Sequence, residues 1–194
     1  MKIGVFGGSF NPVHIGHLLV AEDIIEQLKL DKILFIPAFD PPHKKFLLTF
    51  HYRWAMLKRA VDSNPLFELS NIEAKRGGKS FTIDTLSELK KEYPRDQLYF
   101  IMGTDQYAEL SNWKNPAKLF QKANIVVIQR PGFPKRRFGT KKPIFLEVIQ
   151  IDIAAAEIRK RIQQNRSVRY MLPEKVWQYI IRNKLYKKLR RKNV

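Results

Sequence analysis

Short apolar runs alternate with amphipathic helical stretches along this chain, and no other feature of the sequence constrains its fold as strongly. The runs are continuously apolar, which is typical of strands covered by helices on both faces of a sheet. The predicted strands are 2–6, 32–37, 98–102, 124–129 and 144–149, with 67–72 as a weaker candidate. The predicted helices are 15–28, 52–63, 82–93, 116–123, 156–164 and 173–185. This order predicts an α/β fold, a three-layer α/β/α sandwich with a mainly parallel sheet and a short helical C-terminal part.

Length and composition fit one domain. The chain has 194 residues, of which 44% are hydrophobic and 28% charged, as in ordinary globular proteins. We expect a single domain over residues 1–186 and a basic tail over 187–194. The absence of cysteine excludes disulfide scaffolds, Cys-ligated zinc sites and thiol nucleophiles, and it fits a reducing, cytoplasmic location. No apolar run is long enough to span a membrane, and the N-terminal run is too short for a signal peptide.

Net charge is the one unusual bulk property of the chain. Its 36 Lys and Arg against 18 Asp and Glu give +18 at pH 7, which indicates an anionic partner. Much of the excess lies in two stretches, 133–142 and 182–194, and charge concentrated in this way usually marks solvated surface. No aromatic-plus-basic signature of a nucleic-acid-binding module accompanies it. Nucleic-acid binding is therefore disfavoured and kept only as the alternative from a different functional class.

Residues 7–17, with the sequence GGSFNPVHIGH, form the strongest local signal and follow the first predicted strand. In open α/β sheets, ligands bind beyond the carboxyl ends of the strands, which is where this segment starts. Gly7 and Gly8 let the backbone approach a ligand closely, and their amides suit phosphate. His14 and His17 lie three residues apart at the start of the next helix, so they share one face near its positive end. The segment therefore predicts a polyanion site.

Two familiar phosphate-binding motifs are excluded. The 7–17 segment lacks the G-x-G-x-x-G spacing of dinucleotide-binding oxidoreductases. Residues 77–80, Gly-Gly-Lys-Ser, look like the end of a P-loop, but Glu73 stands where that motif needs glycine, so we interpret Gly77-Gly78 as a turn. Far downstream, residues 153–159 open a helix, and a guanidinium at Arg159 could fork two phosphate oxygens.

The order of these motifs resembles the nucleotidylyltransferase superfamily and, within it, the bacterial nicotinate-nucleotide adenylyltransferase family. The resemblance covers nearly the whole chain and leaves out only the basic tail. It rests on the 7–17 segment, on Ile-x-x-x-x-Ile-Arg at 153–159 and on shorter motifs between them. These are Pro41-Pro42-His43-Lys44, residues 81–86, Gly103-Thr104-Asp105, Trp113 and Arg130-Pro131-Gly132.

The resemblance implies a Rossmann-like fold and a reaction of NAD biosynthesis. ATP and nicotinate mononucleotide would give nicotinate adenine dinucleotide (deamido-NAD) and pyrophosphate, by direct in-line attack of the mononucleotide phosphate on the ATP α-phosphate. The attacking phosphate is already anionic, so positioning and electrostatic stabilisation are expected to matter more than a general base. The resemblance also implies Mg²⁺ held mainly by ATP phosphates and water, so no protein ligand is named for a metal. The sequence leaves the oligomeric state open, a homo-oligomer included.

The resemblance also implies the site residues. The catalytic set is His14, His17, Lys44 and Arg159. The residues implied in ATP binding are Gly7, Gly8, Ser9, Phe10, His14, His17, Gly103, Asp105, Ile158 and Arg159. Those implied in binding nicotinate mononucleotide are Lys44, Thr82, Thr85, Trp113 and Arg130. For three residues a purely structural or surface role stays open: Trp113 as an ordinary core residue, Arg130 as a cation in a loop and Asp84 as a charge on a helix surface.

The run Ala154-Ala155-Ala156 departs from the family pattern, which has hydroxyl residues there. Those hydroxyls help to cap the helix and to hold the pyrophosphate portion of ATP, so the run predicts weaker ATP binding or a compensating contact. Two other phosphate acceptors stay open as alternatives. Phosphopantetheine is disfavoured by Pro41-Pro42-His43-Lys44 and Trp113, whereas nicotinamide mononucleotide differs from the favoured substrate only by an amide in place of a carboxylate.

Overall fold

A six-stranded parallel sheet forms the middle layer of the protein, in a computed structural model that describes residues 1–42, 47–129, 142–149 and 151–187. The strands are β1 (Lys2–Gly8), β2 (Lys32–Pro37), β3 (Phe67–Leu69), β4 (Gln97–Gly103), β5 (Asn124–Ile128) and β6 (Ile144–Leu146). Their order across the sheet is β3-β2-β1-β4-β5-β6, and every neighbouring pair is parallel. In the central register, Val5 lies between Leu34 and Phe100.

Helices cover both faces of this sheet. They are α1 (Ile15–Leu28), α2 (Phe50–Val61), α3 (Ile72–Arg76), α4 (Thr82–Glu92), α5 (Thr104–Ala108), α6 (Pro116–Lys122), α7 (Ala155–Gln163) and α8 (Glu174–Arg182), with short 3-10 turns at Leu110–Asn112 and Arg169–Met171. On one face, α1, α2, α7 and α8 share a core with strand residues such as Phe35. On the other face, α4, α5 and α6 share a core with strand residues such as Val5, Leu34 and Phe100. Successive strand residues therefore enter different cores, which explains the continuously apolar strands.

The strand order reverses next to β1. The chain builds β2 and β3 outward from one side of β1 and β4 to β6 from the other. The crevice between the carboxyl ends of β1 and β4 is a topological switch point, where open α/β sheets bind their ligands. Gly8 and Gly103 end these two strands. The predicted Rossmann-like three-layer fold is confirmed.

The predicted helix 173–185 is wrong at its C-terminal end. The helix α8 ends at Arg182, because Lys184 and Tyr186 adopt left-handed backbone conformations with φ of 52° and 64°. The chain turns back at this point and buries Leu185, which is 6% exposed. Tertiary contacts of this segment override its helical pattern.

Smaller differences concern the edges of the sheet. The strands β3 and β6 are shorter than predicted, and α3 and α5 were not predicted because five residues are too few to show a helical period. Gly77 and Gly78 have φ of 72° and 68°, which confirms the predicted turn. Within the described part of the chain, no helix is long and apolar enough to cross a membrane.

Candidate active site

The loop between β1 and α1 is fixed by a buried ring. Phe10 has a φ of 43° and is only 2% exposed. A Cβ atom at Gly8 would lie 3.1 Å from this ring, so the chain needs glycine where it passes over Phe10. The anchored ring fixes the backbone of Ser9 at the carboxyl edge of the sheet and directs the chain into α1.

His14 and His17 form a pair at the N-terminus of α1. The backbone N–H of His14 donates to Nδ1 of His17 at 3.2 Å, and the N–H of His17 donates to the carbonyl of His14 at 3.0 Å. The ring centroids lie 3.8 Å apart. A Cβ atom at Gly16 would approach the His14 ring to 3.2 Å, so glycine leaves room for that ring. Because Nδ1 of His17 accepts this hydrogen bond, Nε2–H is the donor that the ring can offer to a ligand.

The helix α7 brings Arg159 to the same loop. Its Nη1 donates to the carbonyl of Asn11 at 2.7 Å. Asn11 is 3% exposed, and its side-chain oxygen accepts a hydrogen bond from the hydroxyl of Tyr186 at 2.8 Å. Burial raises the pKa of Tyr186 above its usual value, although the charges of Arg159 and Arg53 act in the opposite direction. Tyr186 is therefore a protonated donor, and two C-terminal side chains meet the N-terminal loop.

A cavity of about 410 Å³ opens at the switch point between β1 and β4. Seven of the predicted site residues line it: Gly7, Gly8, Ser9, Thr82, Thr85, Asp105 and Trp113. His14, His17 and Arg159 are not among the described residues that line this cavity. The turn that contains Ser9 borders the cavity and continues into the histidine pair. The candidate site therefore has two adjoining parts: the β1–α1 loop with the histidine pair and the nearby Arg159, and the cavity.

The N-terminus of α4 forms one wall of the cavity. The amides of Asp84 and Thr85 donate to the carbonyl of Phe81 at 3.0 and 3.2 Å and so complete the first turn. The amides of Thr82 and Ile83 precede that turn, at positions that have no partner within a helix. Both residues line the cavity. The N-terminus of α4 therefore lies at this end of the cavity, where an anionic group would be stabilised.

Trp113 lines the cavity, whereas Asp84 does not. The Trp113 ring lines the cavity and contacts Phe100 edge to face, with centroids 6.3 Å apart, so it is more than a core ring. Asp84 forms an ion pair with Lys114 at 2.9 Å in which both side chains are partly exposed. Asp84 does not line the cavity, whereas Lys114 does. The surface-charge interpretation of Asp84 fits this placement.

The opposite wall is the end of β4. Gly103 donates its N–H to Oε1 of Gln106 at 3.1 Å, and a Cβ atom at Gly103 would collide with the carboxylate of Asp105. The absence of a side chain at Gly103 therefore lets Asp105 fold back over the strand end and line the cavity. Carboxylate oxygens accept hydrogen bonds from hydroxyl groups, so this wall suits a ribose.

One predicted residue, Ile158, lies in the core instead. The side chain of Ile158 is fully buried in the core, and its N–H donates to the carbonyl of Ala154 at 3.1 Å. Ala154 precedes α7 in the extended conformation typical of a helix cap, but its methyl group provides no capping bond. Lys44 and Arg130 lie outside the described residues, so their predicted roles stay predictions.

Sequence reasoning missed two charged residues beneath the site. Arg53 is 2% exposed and Glu73 is 8% exposed. The signal for Arg53 was its position: it precedes Met56 and Leu57 by three and four residues and therefore lies on the apolar face of α2. Glu73 was noticed only because it breaks a P-loop pattern, and nothing in the sequence indicated that it lines the cavity.

Comparison with known proteins assigns the class of enzyme. The chain belongs to the cytidylyltransferase-like family of nucleotidyltransferases, whose sequence model matches residues 5–185. Two relatives carry the name "Probable nicotinate-nucleotide adenylyltransferase". The protein of Thermus thermophilus is 42% identical, covering 96% of this chain and 100% of its own length. That of Syntrophotalea carbinolica is 40% identical, covering 96% and 98%. The resemblance found in the motifs is confirmed.

A solved structure shows the same fold. The Plasmodium falciparum nicotinic acid mononucleotide adenylyltransferase complexed with NaAD superposes with a TM-score of 0.80. The match covers 95% of this chain and 97% of that chain at 21% sequence identity. The three-layer architecture is therefore retained where most of the sequence differs.

Proposed function

We propose that the chain transfers the adenylyl group of ATP to nicotinate mononucleotide, giving nicotinate adenine dinucleotide and pyrophosphate in NAD biosynthesis. The observation that carries this proposal is that the β1–α1 loop, with its histidine pair, and the cavity adjoin each other at Ser9. The loop with His14, His17 and Arg159 suits a polyphosphate, and the cavity beside it suits a mononucleotide. The names of the relatives at 40% and 42% identity support the same reaction.

At the donor end, the protein offers hydrogen bonds and positive charge. The N-terminus of α1 and the Nε2–H of His17 meet the phosphates of ATP, and Arg159 binds the far end of the triphosphate. Negative charge builds on the α-phosphate oxygens as the bond to pyrophosphate breaks. A donor that acts on this charge lowers the barrier itself, because its bond is stronger in the transition state than in the ground state.

At the reacting centre, no proton has to be removed. The mononucleotide phosphate attacks the α-phosphorus as an anion, one P–O bond forms, and the P–O bond to pyrophosphate breaks. The carboxylates that line the cavity, Glu73, Asp105 and Glu109, are therefore free of any duty as general base. We assign the mononucleotide phosphate to Lys44, which follows the lining residue Pro42 by two positions.

At the acceptor end, the amides of Thr82 and Ile83 suit the carboxylate of nicotinate, and the ring of Trp113 stacks on the pyridine. The carboxamide of nicotinamide mononucleotide would instead place its NH₂ group, a hydrogen-bond donor, against the backbone N–H groups of Thr82 and Ile83, which are also donors. The unsatisfied groups would cost binding energy, so this wall favours nicotinate over nicotinamide.

The donor set fits a metal that arrives with ATP. Residues 1–42, 47–129, 142–149 and 151–187 contain no group of three or more His, Cys, Asp or Glu side chains that could hold an ion. His14, His17 and Arg159 instead suit the phosphate oxygens that Mg²⁺ prefers as ligands. Bound Mg²⁺ supplies charge neutralisation of the triphosphate, and these side chains hold the phosphates that carry it. Because the reaction consumes ATP, we place it in the cytoplasm.

A pyrophosphate-release assay tests the proposal. The purified chain is incubated with ATP, Mg²⁺ and one acceptor at a time: nicotinate mononucleotide, nicotinamide mononucleotide or phosphopantetheine. Release with the first acceptor alone is expected. Equal release with phosphopantetheine would contradict the assignment. Filter binding of nucleic acid over a salt series addresses the other functional class, since nonspecific binding is lost steeply with salt.

A further inference from the structure

A buried guanidinium joins the β1–α1 loop to two points of the β2–α2 loop beneath the candidate site. Arg53 donates from Nη1 to the carbonyl of Ser9 at 3.0 Å, from Nη2 to that of Phe39 at 3.3 Å and from Nε to that of Leu48 at 2.9 Å. Burial lowers the pKa of Arg53, and the nearby Glu73 counters that effect. An arginine keeps its charge under such conditions, so the guanidinium uses its fork of donors to hold backbone carbonyls together.

A buried carboxylate holds the same peptide segment from its other side. Oε2 of Glu73 accepts the N–H of Phe39 at 3.2 Å, and Oε1 accepts the hydroxyl of Thr85 at 2.7 Å. Arg76 donates to that hydroxyl oxygen at 3.2 Å. The carboxylate of Glu73 therefore connects the end of β2 to the first turns of α4.

These bonds form one chain across the floor of the site: Ser9, Arg53, Phe39, Glu73 and Thr85. Its first member borders the cavity beside the histidine pair, and its last lies in the segment assigned to nicotinate. We propose that Arg53 and Glu73 are positioning residues for adenylyl transfer. They clamp the backbone of Phe39 between them, through its carbonyl and its N–H. The clamp fixes the loop that carries Ser9, on the ATP side, relative to the N-terminus of α4, on the nicotinate side. The inference rests on the proposed function and adds to it the means by which the two substrates are aligned. Alignment of this kind matters because small displacements of reacting groups lower the rate steeply.

The clamp is tested by two substitutions of Glu73. In Glu73→Ala, the Phe39 amide loses its acceptor, and the Thr85 hydroxyl keeps only the carbonyl of Phe81, at 3.4 Å. In Glu73→Gln, the amide oxygen can accept from Phe39 and the NH₂ group can donate to Thr85, so both links persist while the charge beside Arg53 is lost. Glu68→Ala is the matched control, because Glu68 lies on the edge strand β3 and forms an ion pair with Lys32 at the start of β2. Arg53→Ala is less useful because three backbone carbonyls would lose their donor and the protein would fold poorly.

The expected result separates positioning from general stability. Glu73→Ala lowers kcat and raises the KM for nicotinate mononucleotide, each about tenfold, and leaves the KM for ATP within about twofold of wild type. Glu73→Gln keeps both KM values near wild type although its Tm falls, because an uncompensated charge remains beside it. Glu68→Ala changes neither KM. Equal KM increases in the two Glu73 variants, following their Tm values, would overturn the clamp.

Amide hydrogen exchange of the ligand-free protein decides the question without any activity. In Glu73→Ala the Phe39 amide should exchange about tenfold or more faster than in wild type, and in Glu73→Gln it should stay protected. An unchanged exchange rate in Glu73→Ala would overturn the clamp even in an active enzyme. A wild-type protein that releases no pyrophosphate with nicotinate mononucleotide would instead overturn the proposed function, and the exchange rates would still report on the clamp.

Discussion

The hydroxyl of Tyr186 donates to the side-chain oxygen of Asn11 across 2.8 Å, joining two residues 175 positions apart in the chain. The backbone carbonyl of the same asparagine accepts a hydrogen bond from Arg159. Asn11 thus takes one bond from each of two C-terminal segments while it lies in the loop that leads to His14. The C-terminal turn after α8 is therefore a structural part of the end of the site that we propose to bind ATP.

Removing this hydroxyl should loosen the loop. In Tyr186→Phe, the buried oxygen of Asn11 loses a donor, so the free energy of unfolding should fall by about 1–3 kcal/mol. The KM for ATP should rise several-fold while the KM for nicotinate mononucleotide stays near wild type. Urea denaturation and initial rates measure the two effects. Tyr170→Phe is the control, since that ring is 85% exposed, and an ATP KM that stays at the wild-type value in Tyr186→Phe would refute the link.

His17 should act mainly on the transition state. His17→Ala removes the Nε2–H donor, so kcat should fall by about a hundredfold or more with little change in the KM for ATP. His14→Ala should show more of a binding defect. His51→Ala, at an exposed position of α2, serves as the control. A His17→Ala enzyme with normal kcat and a raised KM would assign this residue to binding instead.

The missing helix cap of α7 can be restored. Ala154 has the backbone conformation of a capping residue, with φ of −114° and ψ of 137°. Ala154→Ser should raise the free energy of unfolding by about 0.5–2 kcal/mol and lower the KM for ATP, because the hydroxyl can bond a free amide of the first turn. Ala155→Ser, one residue into the helix, should do neither. Equal effects of the two serines on Tm and KM would show that the cap is not the cause.

Residues 187–194 should be dispensable, whereas Tyr186 should not be. Deleting residues 187–194 should leave kcat and acceptor choice nearly unchanged, and any fall in kcat/KM should vanish as salt is raised, since steering is screened beyond about 8 Å at physiological ionic strength. Deleting 186–194 should reproduce the Tyr186→Phe defect. Loss of activity at high salt in a folded 187–194 deletion would show that the tail belongs to the site.

Local patterns predicted the parts of the site that lie close together in sequence. The spacing of His14 and His17 predicted a shared helix face, and the position of Gly8 after an apolar strand predicted the edge of the sheet where the cavity opens. Both features follow from helical and strand geometry, which acts over a few residues. The fold class followed in the same way from the alternation of strands and helices.

Contacts between distant segments could not be predicted by the same route. Glu73 looks like an ordinary surface charge, and the apolar helix face of Arg53 does not reveal its partners, until the loops that carry Ser9 and Phe39 are folded around them. Tyr186 follows the predicted helix 173–185, but the helix ends at Arg182, because burial of the next turn outweighs helix propensity. Pairing over such sequence distances depends on the assembled core rather than on any local period.

A competition assay tests the central claim most directly. ATP and Mg²⁺ are supplied with equal concentrations of nicotinate mononucleotide and nicotinamide mononucleotide, and the two dinucleotide products are separated by mass, so that their ratio reports the ratio of kcat/KM values. Deamido-NAD should exceed NAD by a factor on the order of 10⁴, with one pyrophosphate released per dinucleotide. Similar amounts of the two products would contradict the assignment of the α4 amides to a carboxylate.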